Sequence, residues 1–392
     1  MLETLLPVNL LRYITVRAGL AALTAFSLGL LFTPVWIRLM RRLQFGEQVA
    51  KGDSAELDAL HRNKRGTPTL GGVPIVLTAL VGIVAFARLD AFFPLLVLFA
   101  TLALAAIGLA DDRRKLHSSG RGLSARRKLA LECAVGLCVG AALFAHYESR
   151  DFRVEAATRP ALALEAPATA RTETSRAEPS PQPLPPVEGT ALTVPFFKGV
   201  SVPLGLGFVF FAALVLVATC NAVNLTDGLD GLAAGSSVFV LLVYTLIAYV
   251  VGRADFSAYL QLPYVPGAGE AAVAGAALTG ATLAFLWYNA HPAEIFMGDT
   301  GSLALGGAIA VLALSVKQEL LLVLAGGVFV LEALSVVLQV ASFRLTGRRI
   351  FRIAPLHHHF EFGGQFETKV TTRLWITGAI LCVLALMTLK VR

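Results

Sequence analysis

The sequence has little charge and little cysteine. Only 15% of its 392 residues are Asp, Glu, Lys or Arg, whereas 56% are hydrophobic, and the mean hydropathy is +0.70. A soluble domain has about 25% charged residues, so this composition excludes an ordinary soluble protein and favours one that lies in a membrane. The four cysteines form no C-x-x-C pair, and each lies inside or at the end of an apolar run. We therefore expect neither a disulfide framework nor a cysteine-based metal site.

The start of the sequence also lacks the features of a cleaved secretory signal. Residues 1–17 contain Glu3, no basic stretch and no small-residue cleavage site before the first long apolar run, so we expect that run to stay attached. Ten apolar runs approach the roughly 20 residues that span hydrocarbon. They cover residues 18–37, 71–87, 93–110, 129–145, 206–220, 232–252, 271–288, 302–316, 320–343 and 374–389. The sequence thus predicts an all-α polytopic integral membrane protein of about ten transmembrane helices, with one transmembrane domain over residues 1–392.

Positive charge is concentrated in alternate connections between these helices. The connections after the odd-numbered helices hold 20 of the 33 Lys and Arg, whereas the short ones on the other side hold only Arg88, Arg253 and Lys317. Because positive loops stay inside, the odd connections are predicted to be cytoplasmic and both termini periplasmic. These loops also explain the net charge of +7, so we expect no nucleic-acid partner.

One long connection, residues 148–205, lies on the predicted periplasmic side. Residues from about 155 to 190 are rich in proline among Ala, Thr, Ser and Glu. That composition cannot bury a core, so it predicts a disordered insertion. Residues 193–204 form two short β-rich runs around Lys198 and Gly199, which predicts a small periplasmic β-hairpin.

Every polar cluster that interrupts or ends an apolar run falls in a predicted cytoplasmic connection. Charged groups near a bilayer are costly and usually functional, so this convergence predicts one site on that face. A secondary transporter would place such groups near the bilayer midplane, and the pattern argues against that alternative. The clusters are Asp111 and Asp112; Asn221, Asn224, Asp227 and Asp230; Asn289 and Asp299; and His357, His358 and His359.

Asp111 and Asp112 are neighbours in the sequence. On a helix with 3.6 residues per turn their side chains diverge by about 100°. We therefore expect one of them to face the site and the other to face a neighbour. A solvated helix end, continued by the basic residues 113–115, is the plain alternative.

The segment Asn221–Gly231 has a polar residue at every third position. This spacing predicts that the amides and carboxylates lie along one side of a continuing or lightly broken helix. Gly228 and Gly231 flank Asp230, which indicates close approach of the backbone to a ligand. A solvent-facing loop is the alternative.

The segment Phe296–Ser302 immediately precedes an apolar run. Asp299 or Thr300 can cap the helix that begins there, and the amino end of that helix offers N–H groups to an anion. Capping alone is one interpretation. The position of this segment opposite the other polar clusters favours a metal and diphosphate site.

Two further segments have basic or histidine-rich sequences. Residues 61–72, HRNKRGTPTLGG, lead into the second helix and are typical either of a basic flank or of a phosphate contact. The three histidines of residues 355–361, PLHHHFE, have no thiolate or spaced second ligand pair, so donors for a phosphate or ribose fit better than a zinc site.

Taken together, these motifs resemble the phospho-N-acetylmuramoyl-pentapeptide transferase (MraY) family of the polyprenyl-phosphate N-acetylhexosamine-1-phosphate transferase superfamily. The resemblance runs from HRNKRGTPTLGG to PLHHHFE, with the motifs in the family's order and spacing. The PLHHHFE form points to the muramoyl-pentapeptide branch. Leu70 stands where the family often has Met, and the proline-rich insertion is longer than usual.

The resemblance implies transfer of phospho-N-acetylmuramoyl-pentapeptide from UDP-MurNAc-pentapeptide to undecaprenyl phosphate, giving lipid I and UMP. It further implies Mg²⁺, membrane lipid and a homodimer in the bacterial cytoplasmic membrane. A sibling transferase that uses UDP-N-acetylglucosamine is the alternative function, ahead of a transporter. Mg²⁺ would offset the repulsion between the attacking phosphate and the diphosphate.

The resemblance also implies roles for individual residues. Asp299 is the expected principal Mg²⁺ ligand, and Asp111, Asp112 and His358 complete the expected catalytic set. Phe296 is expected to stack on uracil. The residues expected to contact substrate are Lys64, Thr69 and Lys128 at phosphate or the lipid head, and Asn224, Asp227, Asp230, Asn289, Phe296 and His357 around the nucleoside and diphosphate.

Overall fold

The computed structural model describes residues 9–43, 66–117, 122–149, 152, 189–195, 197 and 200–390. Within these residues the chain forms helices joined by short connections and one small sheet. After a 3₁₀ turn at Asn9–Arg12, the elements are α1 Ile14–Arg42, α2 Gly72–Phe86, α3 Phe92–His117, α4 Ala125–Glu148, β1 Ala191–Thr193, β2 Ser201–Pro203, α5 Gly207–Thr226, α6 Leu232–Val251, α7 Ala254–Leu260, α8 Ala268–Asn289, α9 Gly298–Ser315, α10 Leu322–Ala325, α11 Gly327–Thr346, α12 Leu356–Glu361 and α13 Glu367–Thr388.

Each of the ten predicted membrane runs is helical in the structure. In the described part of the chain, nine helices are long and apolar enough to cross a membrane, and α2, with 15 residues, is a shorter apolar helix. The short runs 206–220 and 302–316 extend to 20 residues in α5 and 18 in α9. The prediction of a polytopic α-helical membrane protein is confirmed.

The ninth predicted helix is divided in two. The apolar run 320–343 becomes α10 and α11, which are separated at Gly326. Two consecutive glycines, Gly326 and Gly327, account for the break, because glycine gains backbone freedom outside a helix and forms helix poorly. Hydropathy does not detect such a break, since glycine does not interrupt an apolar run.

Helix α9 lies at the centre of the bundle. Every residue from Asp299 to Ser315 is buried, and most of them are Gly, Ala, Ser or Leu. Its neighbours are α2, α3, α5, α6 and α8. Small residues allow helix backbones to approach closely in a membrane. A Cβ on Gly72 of α2 would overlap the backbone of Gly301, and one on Gly306 would meet the backbone of Cys220 at 2.6 Å.

The predicted β-hairpin is confirmed, although its first strand begins two residues earlier than the sequence suggested. β1 pairs antiparallel with β2, with Leu192 opposite Val202. The Thr193 hydroxyl donates to the carbonyl oxygen of Lys317 at 2.6 Å, which fixes the hairpin to the chain just after α9. The hairpin and Asp299 are therefore at opposite ends of α9. The predicted insertion, apart from its last residues, lies outside the described residues.

The close approach of α2 and α9 yields a first prediction. Gly72→Ala should lower the free energy of unfolding by about 1–3 kcal/mol, because the added methyl group must displace the backbone of Gly301. Thermal unfolding of the purified protein in detergent measures the change. Gly19→Ala is the matched control, since a Cβ on Gly19 meets none of the described atoms within 4 Å. Equal melting temperatures for the two variants would contradict the tight contact.

Candidate active site

Three carboxylates meet where α3 ends and α9 begins. One oxygen each from Asp111, Asp112 and Asp299 lies within 4.8 Å of the others, and all three residues are buried. The expectation that only one of the neighbouring pair would face the site is wrong. Gly108, one turn earlier in α3, lies directly against the backbone of Asp299. The start of α9 therefore lies close to α3, and both diverging side chains can reach Asp299.

Asp112 caps helix α9. Its Oδ1 accepts the N–H of Asp299 at 3.1 Å, and its Oδ2 accepts both the N–H and the hydroxyl of Thr300 at 2.9 and 2.7 Å. The expected cap by Asp299 or Thr300 is therefore wrong, because the cap comes from another helix. A carboxylate here satisfies N–H groups that the helix cannot pair and favours the positive end of its dipole. The side chain of Asp299 is thereby left to face other groups.

Two lysines neutralise much of the charge of the three carboxylates. Lys115 Nζ lies 2.7 Å from Asp111 Oδ2 and 2.9 Å from Asp299 Oδ1, and Lys128 Nζ lies 2.5 Å from Asp299 Oδ2. Lys128 was an expected phosphate-binding residue, whereas Lys115 had been considered only as part of a basic flank. Its spacing of three and four residues from the two aspartates could have indicated the contact. Three carboxylates and two ammonium groups, in their usual charged forms, leave one negative charge.

Asn224 joins this cluster, whereas Asn221 does not. The amide nitrogen of Asn224 donates to Asp299 Oδ1 at 3.1 Å and to the Ser302 hydroxyl at 2.8 Å. That of Asn221 donates to Glu132 Oε2 at 2.6 Å, a buried acid on α4 that the sequence analysis did not single out. Helix α5 ends at Thr226, so the polar residues of this segment do not share one helical face.

Asp230 and Asn289 hold connections together near the cluster. Asp230 Oδ2 lies 3.0 Å from His291 Nδ1 and accepts the N–H of Ala293 at 3.1 Å. The side-chain oxygen of Asn289 accepts the N–H of Gly231 at 3.1 Å, and its amide nitrogen donates to a carbonyl oxygen at 2.9 Å. Both side chains therefore fix the turn after α5 to the end of α8.

The strand-like residues before α2 lie beside the start of α9. The N–H of Phe296 donates to the carbonyl oxygen of Pro68, and the carbonyl oxygen of Phe296 accepts the N–H of Gly71. A Cβ on Gly298 would lie 3.2 Å from the Thr69 hydroxyl and 2.8 Å from Asp112. The expected residues Thr69 and Phe296 thus flank the carboxylates. Lys64 lies outside the described residues.

The three consecutive histidines contact three different partners. His357 Nδ1 lies 3.0 Å from Glu332, His358 Nδ1 lies 2.8 Å from Glu361, and His359 Nδ1 accepts the N–H of Arg352. They do not form a shared metal site among themselves. The side chain of His357 packs against Gly228, where a Cβ would overlap its Nε2 atom. The close approach expected at Gly228, beside Asp227, is therefore made by the side chain of His357.

The carboxylates could hold a metal ion. Their donor atoms are all oxygens, which is the ligand set that Mg²⁺ prefers, and they come from two fixed helices. A second group, Asp230, His291 and Glu367, also brings three such side chains together, but hydrogen bonds within the protein account for its arrangement.

Comparison with known proteins is consistent with this geometry. Residues 94–317, more than half of the chain, match the family model of glycosyl transferase family 4. The helices and the acidic cluster thus belong to a membrane-embedded glycosyl transferase of that class.

More specific relatives match over nearly the full length. A phospho-N-acetylmuramoyl-pentapeptide-transferase from Desulfotalea psychrophila is 45% identical over 98% of this chain and 96% of its own. Enzymes of the same name from Ruegeria pomeroyi and Methylacidiphilum infernorum are 45% and 43% identical over the same shares. The chain belongs to the phospho-N-acetylmuramoyl-pentapeptide-transferase family, as its motifs predicted.

The capping role of Asp112 yields a second prediction. Asp112→Ala should lower the free energy of unfolding by about 1–3 kcal/mol for each buried donor that it leaves unsatisfied. Asp112→Asn keeps one oxygen and should lose less. Melting temperatures in detergent measure both, with exposed Asp90→Ala as the control. A melting temperature for Asp112→Ala equal to that of the control would disprove the capping role.

Proposed function

We propose that this enzyme transfers phospho-N-acetylmuramoyl-pentapeptide from UDP-MurNAc-pentapeptide to undecaprenyl phosphate, forming lipid I and releasing UMP in peptidoglycan synthesis. The observation that carries this proposal is the cluster of Asp111, Asp112 and Asp299 with two lysines at one end of a membrane helix bundle. A polyprenyl phosphate stays in the bilayer and a nucleotide sugar stays in water. Their reaction therefore requires charged groups at the level of the lipid headgroups.

The two anionic substrates repel each other, and the site offers cations to offset this repulsion. Lys128, only partly buried, is proposed to hold a phosphate group or the lipid head, with Lys64 and Thr69. Mg²⁺, when bound, would neutralise the diphosphate and polarise the phosphorus under attack. Asp299 is its proposed principal ligand, and Asp111 and Asp112 surround the same position.

The attacking phosphate needs little help in losing a proton. A phosphate monoester has its second pKa near 6, so at neutral pH it is mostly dianionic. Asp112 accepts three hydrogen bonds from the start of α9, and Asp111 accepts the N–H of Leu123 at 2.5 Å and the ammonium of Lys115. We therefore propose that both carboxylates orient Asp299 and the cations rather than remove a proton.

The remaining expected residues surround this centre. His358 completes the proposed catalytic set as a hydrogen-bond donor to phosphate or ribose, and Phe296 is proposed to stack on uracil. Asn224, Asp227, Asp230, Asn289 and His357 are proposed to shape the nucleoside and diphosphate site.

The protein is a multi-pass membrane protein, and we propose a specific arrangement for it. The site faces the cytoplasm, both termini are periplasmic, and the membrane is the bacterial cytoplasmic membrane. The charge asymmetry of the loops supports this orientation. We further propose that each chain forms one transmembrane transferase domain and that two chains form a homodimer. No nucleic-acid partner is proposed.

The function is tested by supplying radiolabelled sugar nucleotides to purified protein with undecaprenyl phosphate, with and without Mg²⁺. UDP-MurNAc-pentapeptide should give a Mg²⁺-dependent lipid-linked product and UMP. Transfer from UDP-N-acetylglucosamine instead would favour the sibling transferase and reject this substrate assignment.

A third prediction concerns the metal. Asp299→Asn should reduce Mg²⁺-dependent UMP release by at least about 100-fold, because the amide is a weaker ligand and leaves Lys115 and Lys128 without their shared partner. Release of UMP by folded protein measures the loss. Exposed Asp255→Asn is the control variant. Near-normal turnover in Asp299→Asn would contradict the proposal that Asp299 is the principal Mg²⁺ ligand.

A fourth prediction concerns His358. His358→Ala should lower kcat/KM about tenfold, the effect of losing one hydrogen bond to a charged group. His358→Gln, which keeps an N–H donor, should lose less. Initial rates over a range of nucleotide concentrations give both values. If the two variants retain the activity of the unmodified enzyme, His358 is not a donor to substrate.

A further inference from the structure

Glu332 is the one acidic residue of helix α11, and it is buried. It lies in the second turn of α11 and has 0% exposure, although most of that helix is only partly buried. Charged groups within membrane helices are costly, and they are usually paired and functional. Its partner is His357, which follows α11 by way of the basic connection and is 1% exposed.

Glu332 holds His357 at two points. Its Oε2 accepts the backbone N–H of His357 at 3.2 Å and lies 3.0 Å from Nδ1 of the same residue. A backbone N–H can only donate, so Oε2 accepts there. A carboxylate oxygen carries no hydrogen, so it would accept from the ring nitrogen as well. A hydrogen on Nδ1 would fix both the tautomer and the direction of the ring.

The other side of the ring faces the turn after α5. His357 Nε2 is buried and has no hydrogen-bond partner among the described residues. It lies directly against Gly228, where a Cβ would overlap it. The turn at Gly228 continues the helix whose Asn224 donates to Asp299. The ring held by Glu332 therefore supports the segment that contacts the carboxylate cluster.

A second side chain on α11, Gln339, allows anchoring of the connection to be tested apart from orientation of the His357 ring. Gln339, two turns after Glu332, accepts the N–H groups of Ile350 and Phe351 at 3.0 and 2.9 Å and donates to the carbonyl oxygen of Phe351. Gln339 holds only the backbone of the connection. Glu332 holds both backbone and ring, so loss of Gln339 tests anchoring of the connection alone.

We propose that Glu332 is a positioning residue of the transferase reaction. It acts through His357, whose fixed ring determines where the turn at Gly228, and with it Asn224, lies relative to Asp299. This inference rests on the proposed function, because its main readout is the rate of that reaction.

The test compares Glu332→Gln, Glu332→Leu and Gln339→Leu in full-length purified protein, by UMP release and by melting temperature. The amide oxygen of Glu332→Gln can accept both N–H groups, so this variant should retain activity within about threefold. Glu332→Leu should lose about 100-fold in kcat/KM, the effect of a displacement of about 1 Å at a reaction centre. Gln339→Leu should lose far less. Equal losses in Glu332→Gln and Glu332→Leu, or in Gln339→Leu and Glu332→Leu, would overturn the proposal.

Further variants separate positioning from folding. Glu332→Leu combined with His357→Phe removes the unpaired polar groups together, so the melting temperature should recover while activity stays low. Recovery of activity with stability would overturn the proposal. If Glu332→Leu does not fold, Gly228→Ala disturbs the ring from its other side. It should lower kcat/KM in the unmodified background and have no further effect in His357→Ala. An additive effect would count against the proposal.

A spectroscopic readout is independent of turnover. Among the seven histidines, the ¹⁵N signals of His357 are identified by their loss in His357→Phe. They should show a hydrogen on Nδ1 in the unmodified protein and in Glu332→Gln, but not in Glu332→Leu. An Nε2–H tautomer in the unmodified protein would overturn the proposal. If the unmodified protein fails to release UMP, the proposed function fails, and this measurement still tests the Glu332 contact by itself.

Discussion

The arrangement depends on how the first turn of a buried helix obtains its hydrogen bonds. Helix α9 begins inside the bundle, where N–H groups without an acceptor are costly. Asp112 supplies the acceptor from α3, and this fixes the two helices at one point. Asp299 is then placed between Asp111 and the two lysines, with little freedom to move. The cap and the charged cluster are therefore one structure, formed where Gly108 lets α3 lie against the backbone of Asp299.

Polar side chains also link the elements that surround the carboxylate cluster. Asn224 links α5 to Asp299, Asn289 links the turn after α5 to the end of α8, and Glu332 links α11 to His357. Each link joins two separate elements through a polar side chain, and a polar group enclosed by the bundle needs such a partner. The candidate site can thus be held in place even though some of its residues, such as Asp230, lie in connections between helices.

Much of this could be predicted from the sequence. Hydropathy and length identify the long apolar helices because a bilayer requires them, and loop parity predicts that the Asp111, Asp227 and Asp299 motifs share one face. The roles of Glu132 and Glu332 could not be predicted, because each depends on the direction of a side chain towards another element. The spacing of Lys115 indicates its contacts with Asp111 and Asp112 on the same helix, but not its contact with Asp299. The divergence of Asp111 and Asp112 was interpreted wrongly for the same reason. Angular separation on one helix says nothing about a partner that enters between two side chains.

The burial of α9 also bears on how the protein is made. Among the nine candidate spans of the described chain, α9 has the lowest mean hydropathy, and almost none of its surface meets lipid. Its residence in the membrane depends on protein contacts more than on partition into hydrocarbon. The helices that enclose it, α2, α3, α5, α6 and α8, all precede it in the chain. During synthesis, α9 thus emerges after the helices that form its binding groove. A helix of low hydropathy can then insert between these helices instead of into lipid.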